Sequence, residues 1–232
     1  MKKALVILFV FILFFCVAAG AADKDEKVVY ITFDDGPTHN TPAILDTLKK
    51  YNAKATFFVL ENRISEYPDF IKRIHSEGHS IGLHGKSHDV NVIYSSPSEP
   101  LYEMNSTNDC LYNVVGFRTQ LARTPYGSYP YMTYDQYKVL CSANYKIWDW
   151  TVDPRDGVGT PDISTIFNNI KKDLKGNNNP IVLLHDRKST AKNLDSILSF
   201  FASQGYRFET IEENMDPVNF LELYGPAKNK SS

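Results

Sequence analysis

Several residues of the kinds that bind metals or move protons follow apolar segments of this 232-residue chain. Two carboxylates are adjacent at Asp34 and Asp35, and Gly36-Pro37 turns the chain directly after them. Neighbouring carboxylates at a strand end point in different directions, so one can hold a metal ion while the other faces a substrate. An ordinary Asp-Asp-Gly-Pro turn without a catalytic role fits the same residues.

Two histidines four residues apart, His84 and His88, form a second candidate group. On a helical turn, side chains at positions i and i+4 share a face, so both imidazoles could bind one metal ion. A carboxylate from elsewhere in the chain would complete a His₂Asp set with room for water, a type found in open catalytic zinc sites. One buried and one surface histidine, with no metal, is the alternative.

Three further candidates lie at or after the ends of predicted strands. Arg123 is placed to pair with a carboxylate, although a lone arginine is usually a surface charge. Asp156 lies in an acidic turn that needs no function. His185 is either a buried structural residue or a general acid, if a carboxylate holds its imidazole and raises its pKa. The remaining histidines have no partner pattern and are interpreted as structural or surface residues: His39, His75 and His79.

Short apolar segments alternate with amphipathic ones along most of the chain. Strands are predicted at residues 28–33, 55–60, 80–83, 121–124, 146–150, 180–184 and 206–210. Helices are predicted from Thr41 and at 67–77, 98–115, 134–143, 162–174 and 193–204. This alternation predicts a parallel sheet with crossover helices, either open or closed into a barrel. The polar candidates then share the carboxyl edge of the sheet, where such folds build their sites.

The overall composition indicates one globular domain rather than a disordered chain. Hydrophobic residues make up 43% of the sequence and charged residues 22%, and the formal charge is −2. Because there is no basic excess, nucleic acid is excluded as the main partner.

The first 22 residues have the pattern of a secretory signal peptide. Lys2 and Lys3 precede an apolar run from 4 to 17, and small residues follow up to Ala22. Cleavage is expected after Ala21 or Ala22. An uncleaved membrane anchor is the alternative. Removal of both lysines, with no acidic residue, would change the formal charge from −2 to −4. At the other end, residues 225–232 are predicted to form a mobile tail.

The exported chain would retain two cysteines, Cys110 and Cys141, in an oxidising compartment. They are expected either to form a disulfide or to remain two buried free thiols.

Five segments together resemble, in order, the motifs of the polysaccharide deacetylases, carbohydrate esterase family four with its NodB-homology domain. They are residues 32–37, 84–88, 123–126, 153–156 and 181–185. Two positions depart from the family pattern. Gly85 stands where the family usually has Ser or Thr, and Gly157 stands where many members have a Trp that walls the acetyl-methyl pocket. Trp150 is the expected apolar replacement.

The resemblance implies a metal site and a binding pocket. Asp35, His84 and His88 would bind a divalent metal, with zinc expected and cobalt or nickel as alternatives. The backbone N–H of Tyr126 would stabilise the oxyanion, and Leu183 would line the pocket for the methyl group.

It also implies two pairs of proton-transferring residues. Asp34 would be the general base, paired with and oriented by Arg123. His185 would protonate the leaving group, with Asp156 holding its imidazole.

The implied fold is α/β, a distorted (β/α) barrel of seven or eight strands, formed by a single domain over residues 23–224. The implied protein is a secreted or cell-wall-associated monomer that hydrolyses N-acetyl groups of an acetylated polysaccharide, with N-acetylglucosamine in peptidoglycan as the expected substrate. It would touch a membrane only through an uncleaved N-terminal segment. A chitooligosaccharide deacetylase, an acetylxylan esterase and a non-catalytic glycan-binding domain are the alternatives.

Overall fold

A computed structural model describes residues 26–226 of the chain. The predicted signal segment and residues 227–232 of the predicted tail lie outside these residues.

Seven strands of the described chain form one sheet in which every pairing is parallel. Most of their residues are apolar and buried, as expected for a sheet covered on both faces. The strands are β1 (Val28–Gly36), β2 (Ala55–Val59), β3 (Ser80–Leu83), β4 (Leu121–Ala122), β5 (Lys146–Ile147), β6 (Ile181–His185) and β7 (Arg207–Phe208). Each one overlaps a strand predicted from the sequence.

The sheet curls until its two ends meet. The strand order is β5-β4-β3-β2-β1-β6, with β7 pairing with the start of β1. The segment just after β5 then reaches β6, because the Val152 N–H donates to Ile181 O at 3.0 Å and the Leu183 N–H donates to Val152 O at 3.0 Å. The fold is therefore a distorted (β/α) barrel with irregular closure, which confirms the predicted class.

Helices surround the barrel and cover its apolar outer face. They are α1 (Thr41–Lys50), α2 (Glu61–Glu66), α3 (Pro68–Ser76), α4 (Val90–Ile93), α5 (Glu99–Val115), α6 (Tyr134–Ser142), α7 (Ile163–Leu174), α8 (Lys188–Ser203) and α9 (Phe220–Tyr224). The short helices α2, α4 and α9 were not predicted, because four to six residues carry too little apolar periodicity to be recognised. Helix α8 begins at Lys188, before the predicted start at residue 193.

The structure also tests what was expected of the two cysteines. No disulfide joins Cys110 to Cys141, and neither residue is buried: Cys110 is half-buried and Cys141 exposed. The expected alternatives of a disulfide and of two buried thiols are therefore both wrong.

Within residues 26–226, none of the helices combines the length and the apolar character needed to cross a membrane.

Candidate active site

The end of β1 carries the two adjacent carboxylates. Asp34 stands in register with His185 of β6, but the register between β1 and β2 shifts between Asp34 and Gly36. Asp35 occupies this irregularity with φ = 70°. A bulge changes the direction of successive side chains, so Asp34 is buried while Asp35 is half-buried and meets other partners.

Three potential metal ligands converge beside this bulge. One ligand atom from each of Asp35, His84 and His88 lies within 4.8 Å of the others. Asp35 Oδ1 is 3.5 Å from His84 Nε2 and 3.2 Å from His88 Nε2. Burial disfavours the Asp35 carboxylate, but the two imidazoles outweigh this effect and hold the pKa of Asp35 below its usual range.

The donor set fits a divalent metal ion. Asp35 Oδ1 is buried and makes no hydrogen bond, which leaves an oxygen lone pair for another partner. His84 Nδ1 lies 2.8 Å from the carbonyl oxygen of Arg123, so this nitrogen carries the proton and Nε2 presents a lone pair toward Asp35. Burial lowers the pKa of His84, which favours the neutral imidazole that a metal requires.

The two histidines converge without lying on a helical turn. His84 follows β3 directly, and residues 85–88 form a loop that ends before α4. Gly85 has φ = 92° and His88 has φ = 49°, so the backbone bends twice to bring His88 back toward Asp35. The contact with Asp35 raises the pKa of His88.

A buried glutamate that the sequence did not reveal holds this loop in place. The carboxylate of Glu103, on α5, accepts the backbone N–H groups of Lys86 at 2.9 Å and Ser87 at 3.2 Å, and also the Ser87 hydroxyl. A Cβ on Gly85 would lie 2.9 Å from Glu103 Oε2. The positive φ and this close approach explain why glycine replaces the usual Ser or Thr here.

The buried pair of Arg123 and Asp34 forms the floor of the site. Arg123 Nη1 donates to Asp34 Oδ1 at 2.9 Å and to Thr32 Oγ1 at 2.7 Å, and Nε donates to the Trp148 carbonyl at 3.1 Å. The guanidinium also stacks 4.2 Å from the centroid of the Phe58 ring. Because Arg123 is fully buried and fixed from several sides, it keeps the Asp34 carboxylate in one orientation.

A second buried carboxylate, Asp156, holds His185. His185 Nδ1 lies 2.8 Å from Asp156 Oδ1, and the backbone N–H of His185 donates to Asp156 Oδ2 at 2.9 Å. Thr190 also donates its hydroxyl to Oδ2. Burial opposes the imidazolium, but the hydrogen bond and charge of Asp156 prevail and raise the pKa of His185 to about 9.

These groups open into one cavity of about 530 Å³, which we call the catalytic cavity. Its walls include Leu183, Trp150, Tyr126 and Tyr131. Tyr126 has φ = 66°, and its hydroxyl donates to the His88 carbonyl at 3.1 Å. The predicted pocket residues therefore lie around the carboxylates and imidazoles, and Trp150 stands in the wall.

The glycine at position 157 has a steric reason in this chain. A Cβ there would lie 2.6 Å from His185 Cε1, closer than real contacts allow. The imidazole occupies the space that a side chain at 157 would need. Trp150, earlier in the same connection between β5 and α7, contributes to the cavity wall instead.

Asp149 is another buried carboxylate whose role its sequence context does not reveal. It accepts the backbone N–H of Ser128 at 2.9 Å and that of Phe220 at 2.6 Å. Burial raises its pKa. Asp149 thus ties the turn that carries Tyr126 to α9, and neither its spacing nor its neighbours in the sequence could have revealed this.

The structure places the three other histidines apart from the residues that line the catalytic cavity. The His75 ring packs at 4.8 Å from the Phe117 ring. His79 is buried and its Nδ1 accepts the Ala55 N–H at 3.2 Å. Burial lowers the pKa of His79 to about 4.

Comparison with known proteins gives the class that this fold and site define. Residues 21–146, just over half of the chain, match the family model described as polysaccharide deacetylase. The match ends before Asp156 and His185, but individual relatives align over more of the chain. The chain belongs to the polysaccharide deacetylase family, whose members are hydrolases acting on the amide bonds of acetylated sugars.

Among the most similar relatives is a peptidoglycan-N-acetylglucosamine deacetylase of Bacillus cereus, 34% identical over 85% of this chain and 74% of that protein. The peptidoglycan-N-acetylmuramic acid deacetylase PdaC of Bacillus subtilis is 34% identical over 82% of this chain and 39% of that protein. The crystal structure of a Bacillus cereus polysaccharide deacetylase superposes with a TM-score of 0.76 at 34% identity, over 84% of this chain and 97% of that one.

Proposed function

We propose that this protein is a metal-dependent deacetylase that removes N-acetyl groups from N-acetylglucosamine residues of peptidoglycan. The observation that carries the proposal is the convergence of three potential metal ligands with an Asp–Arg pair and a His–Asp pair around one cavity. The relatives named for peptidoglycan deacetylation support this choice of polymer.

Asp35, His84 and His88 are the residues proposed to hold the metal. Two imidazoles and one carboxylate suit zinc, and cobalt or nickel would accept the same donors. When bound, such an ion would polarise the acetyl carbonyl and lower the pKa of water. Three protein ligands leave coordination positions for water and substrate.

Asp34 is the proposed general base. Its carboxylate is fixed by Arg123 at 2.9 Å and lies in register with His185. It takes a proton from water as the water oxygen attacks the carbonyl carbon of the acetyl group. The backbone N–H of Tyr126 is proposed to donate to the oxyanion that forms, and the acetyl methyl group rests against Leu183.

His185 is the proposed general acid. With a pKa of about 9, its imidazole carries a proton at neutral pH, and Asp156 fixes the ring through Nδ1. Transfer of a proton from Nε2 to the sugar nitrogen accompanies cleavage of the C–N bond. The products are acetate and a free amine on the sugar.

N-acetylmuramic acid is a second candidate for the sugar that loses its acetyl group. The identity to the Bacillus subtilis relative of that name equals the identity to the N-acetylglucosamine enzyme from Bacillus cereus.

The remaining parts of the proposal concern export and organisation. We propose that residues 1–22 direct secretion, that residues 23–224 are the catalytic domain and that the protein acts as a monomer at the cell wall. Mass spectrometry of the secreted protein would give the cleavage site, and light scattering would give its oligomeric state.

The decisive experiment is an acetate-release assay on peptidoglycan, chitin oligomers and acetylxylan, each with chelator and with added zinc. Acetate and a new amine from peptidoglycan, dependent on metal, are expected. Identification of the amine-bearing sugar by mass spectrometry separates glucosamine from muramic acid. Full activity in metal-free protein would refute the metal mechanism, and release from acetylxylan alone would indicate an esterase.

A further inference from the structure

A second cavity of about 830 Å³ adjoins the catalytic cavity. It is lined by residues 159–163, 187–189, 192 and 193, and we call it the basic cavity. Arg187 lines both cavities, and residues 157 and 158 of the catalytic cavity continue directly into 159 and 160 of the basic cavity. The two cavities therefore adjoin along Arg187 and residues 157–160, so a polymer bound in the catalytic cavity would have neighbouring groups near the basic one.

Three cations line the basic cavity: Arg187, Lys188 and Lys192. The two lysines are one helical turn apart on α8 and face the same side. Within residues 26–226, none of these three cations forms an ion pair with an Asp or Glu side chain. Arg187 uses Nη1 for the Asp156 and Gly157 carbonyls, which fixes the guanidinium in the wall between the cavities.

Asp162 is the one carboxylate among the residues lining this cavity. It caps the first turn of α7 by accepting the Thr165 N–H at 2.8 Å and the Ser164 hydroxyl at 2.9 Å. Its charge is therefore engaged by a helix end, and the lining keeps a net positive charge.

The remaining lining of the basic cavity includes the apolar side chains of Pro161 and Ile163. Cations next to apolar walls suit a ligand that carries both free carboxylates and methyl groups. The lactyl-peptide substituent on the muramic acid residues of peptidoglycan has both: methyl groups on its lactyl and alanyl units, and free carboxylates on its acidic residue and C-terminus. Chitin and acetylxylan oligomers without acidic side groups have no carboxylate to offer.

We propose that the basic cavity binds a carboxylate of the lactyl-peptide substituent on the muramic acid next to the sugar that is being deacetylated. This inference rests on the proposed function, and it names the feature by which the same site would distinguish peptidoglycan from neutral acetylated glycans. Lys188 and Lys192 are the specificity residues, and Arg187 forms the common wall.

The test compares three substrates of equal sugar number: a peptidoglycan fragment with free carboxylates, the same fragment with its carboxylates methyl-esterified, and chitotetraose. The variant is the full-length pair Lys188→Gln and Lys192→Gln. The matched control is Lys171→Gln with Lys172→Gln, two exposed lysines on α7 that do not line the cavity. In the wild-type protein, kcat/KM is expected to be higher for the free fragment than for the esterified one.

In the Lys188/Lys192 variant, the ratio of kcat/KM for the free fragment to kcat/KM for the esterified fragment is expected to fall about tenfold. The change should come mainly through KM, because two exposed charge pairs are lost. The rate on chitotetraose and the properties of the control pair are expected to stay at wild-type values. A ratio that does not change, or that falls equally in the control pair, would contradict the inference while acetate release from the fragment still supports the proposed function. Wild-type protein that releases no acetate from any of the three substrates would refute both.

Binding provides a readout that does not depend on turnover. Asp34→Asn protein titrated with the free fragment in a calorimeter should bind it about tenfold more tightly than the esterified fragment. The Lys188/Lys192 substitutions made in this background should remove the difference. Poly(glycerol phosphate) serves as a phosphate probe of the same cavity. If it does not displace the bound fragment, a carboxylate site is supported. If this polymer binds and the fragment does not, the proposal is wrong.

Discussion

The catalytic cavity holds two carboxylate–imidazole groups that are built differently. In the first, Asp35 lies 3.5 Å from His84 and 3.2 Å from His88, and its Oδ1 is buried without a hydrogen bond. In the second, both oxygens of Asp156 accept hydrogen bonds, from His185 and Thr190. The first group leaves donor atoms for an added partner, whereas the second is complete.

The partner of Nδ1 explains why similar residues differ in charge. His84 Nδ1 faces a backbone carbonyl, which fixes the tautomer but does not offset the burial that lowers the pKa of His84. His185 Nδ1 faces a buried carboxylate, which stabilises the imidazolium and raises the pKa of His185 to about 9. The comparison teaches that the second contact of each ring decides whether it serves as a ligand or as a proton donor.

The largest expected effect comes from breaking the first group. His84→Ala should abolish retention of zinc and lower acetate release by about 10⁴-fold, because several kcal/mol of electrophilic stabilisation are lost. Zinc content after gel filtration and the rate on peptidoglycan measure the two effects. His75→Ala is the matched control, because the His75 ring packs on Phe117 away from the cavity.

A His84→Ala protein that kept both stoichiometric zinc and wild-type activity would contradict the assignment of the first group. Thermal unfolding of the variant checks that the barrel is intact, since His84 is buried.

The next largest effect separates the metal ligands from the proposed base. Asp34→Asn should reduce acetate release by about 10³-fold, because the carboxylate that accepts the proton from water is removed. Zinc content should remain at the wild-type level, since Asp35, His84 and His88 are unchanged. Asp69→Asn, at an exposed position that pairs with Lys72 across one helical turn, is the control.

The result that would overturn this division is loss of zinc together with activity in Asp34→Asn. The two adjacent carboxylates would then act as one group, and the bulge at Asp35 would not separate their roles.

Much of this arrangement could be predicted from the sequence because it depends on strand ends. Apolar runs located all seven strands, and the polar residues after them had to meet at one edge of a parallel sheet. That topology predicts that the carboxylates, Arg123 and the histidines share one edge, whereas the particular pairs of Asp34 with Arg123 and of Asp35 with the two histidines were implied by the family resemblance.

The features of the site that could not be predicted from the sequence depend on long-range packing and on backbone bends. The i, i+4 spacing of His84 and His88 did not reveal that they meet through a loop, in which Gly85 takes φ = 92° and which Glu103, on a distant helix, binds. Asp149 looked like a strand residue, yet it joins two segments far apart in the chain. No periodicity or local spacing encodes such contacts.

The second group can be tested through pH. Asp156→Asn should lower acetate release by about 10²-fold and move the alkaline limb of the kcat/KM profile to lower pH. The sign follows from the raised pKa of His185: the wild-type ring stays protonated up to about pH 9, and without the Asp156 charge it loses its proton earlier. Rates between pH 6 and 10 measure the shift, with Asp69→Asn as the control.

The same change has a consequence for stability. A histidine whose folded pKa is raised stabilises the fold below its unfolded pKa of about 6.5, and this contribution disappears as pH rises through about 9. Asp156→Asn should therefore flatten the stability profile between pH 6.5 and 9. An unchanged alkaline limb in the variant would mean that Asp156 does not set the charge of His185.

The smallest effect concerns a third imidazole, His79, which lies outside the cavity and extends the comparison of Nδ1 partners. His79 Nδ1 accepts the Ala55 N–H, so protonation of this nitrogen would break a buried hydrogen bond, and burial lowers the pKa of His79 to about 4. Because the unfolded chain binds the proton first, stability present above pH 6.5 should be lost as pH falls toward 4. The loss attributable to this ring is about 2 kcal/mol between pH 7 and pH 4.5.

Urea denaturation of wild-type and His79→Gln protein at both pH values measures this loss. The difference between the two proteins in their change of unfolding free energy isolates His79, because the amide oxygen of Gln can accept the same N–H without titrating. His75→Gln, a change outside this hydrogen bond, should keep the wild-type pH dependence. If His79→Gln kept it as well, this loss of stability would not come from His79.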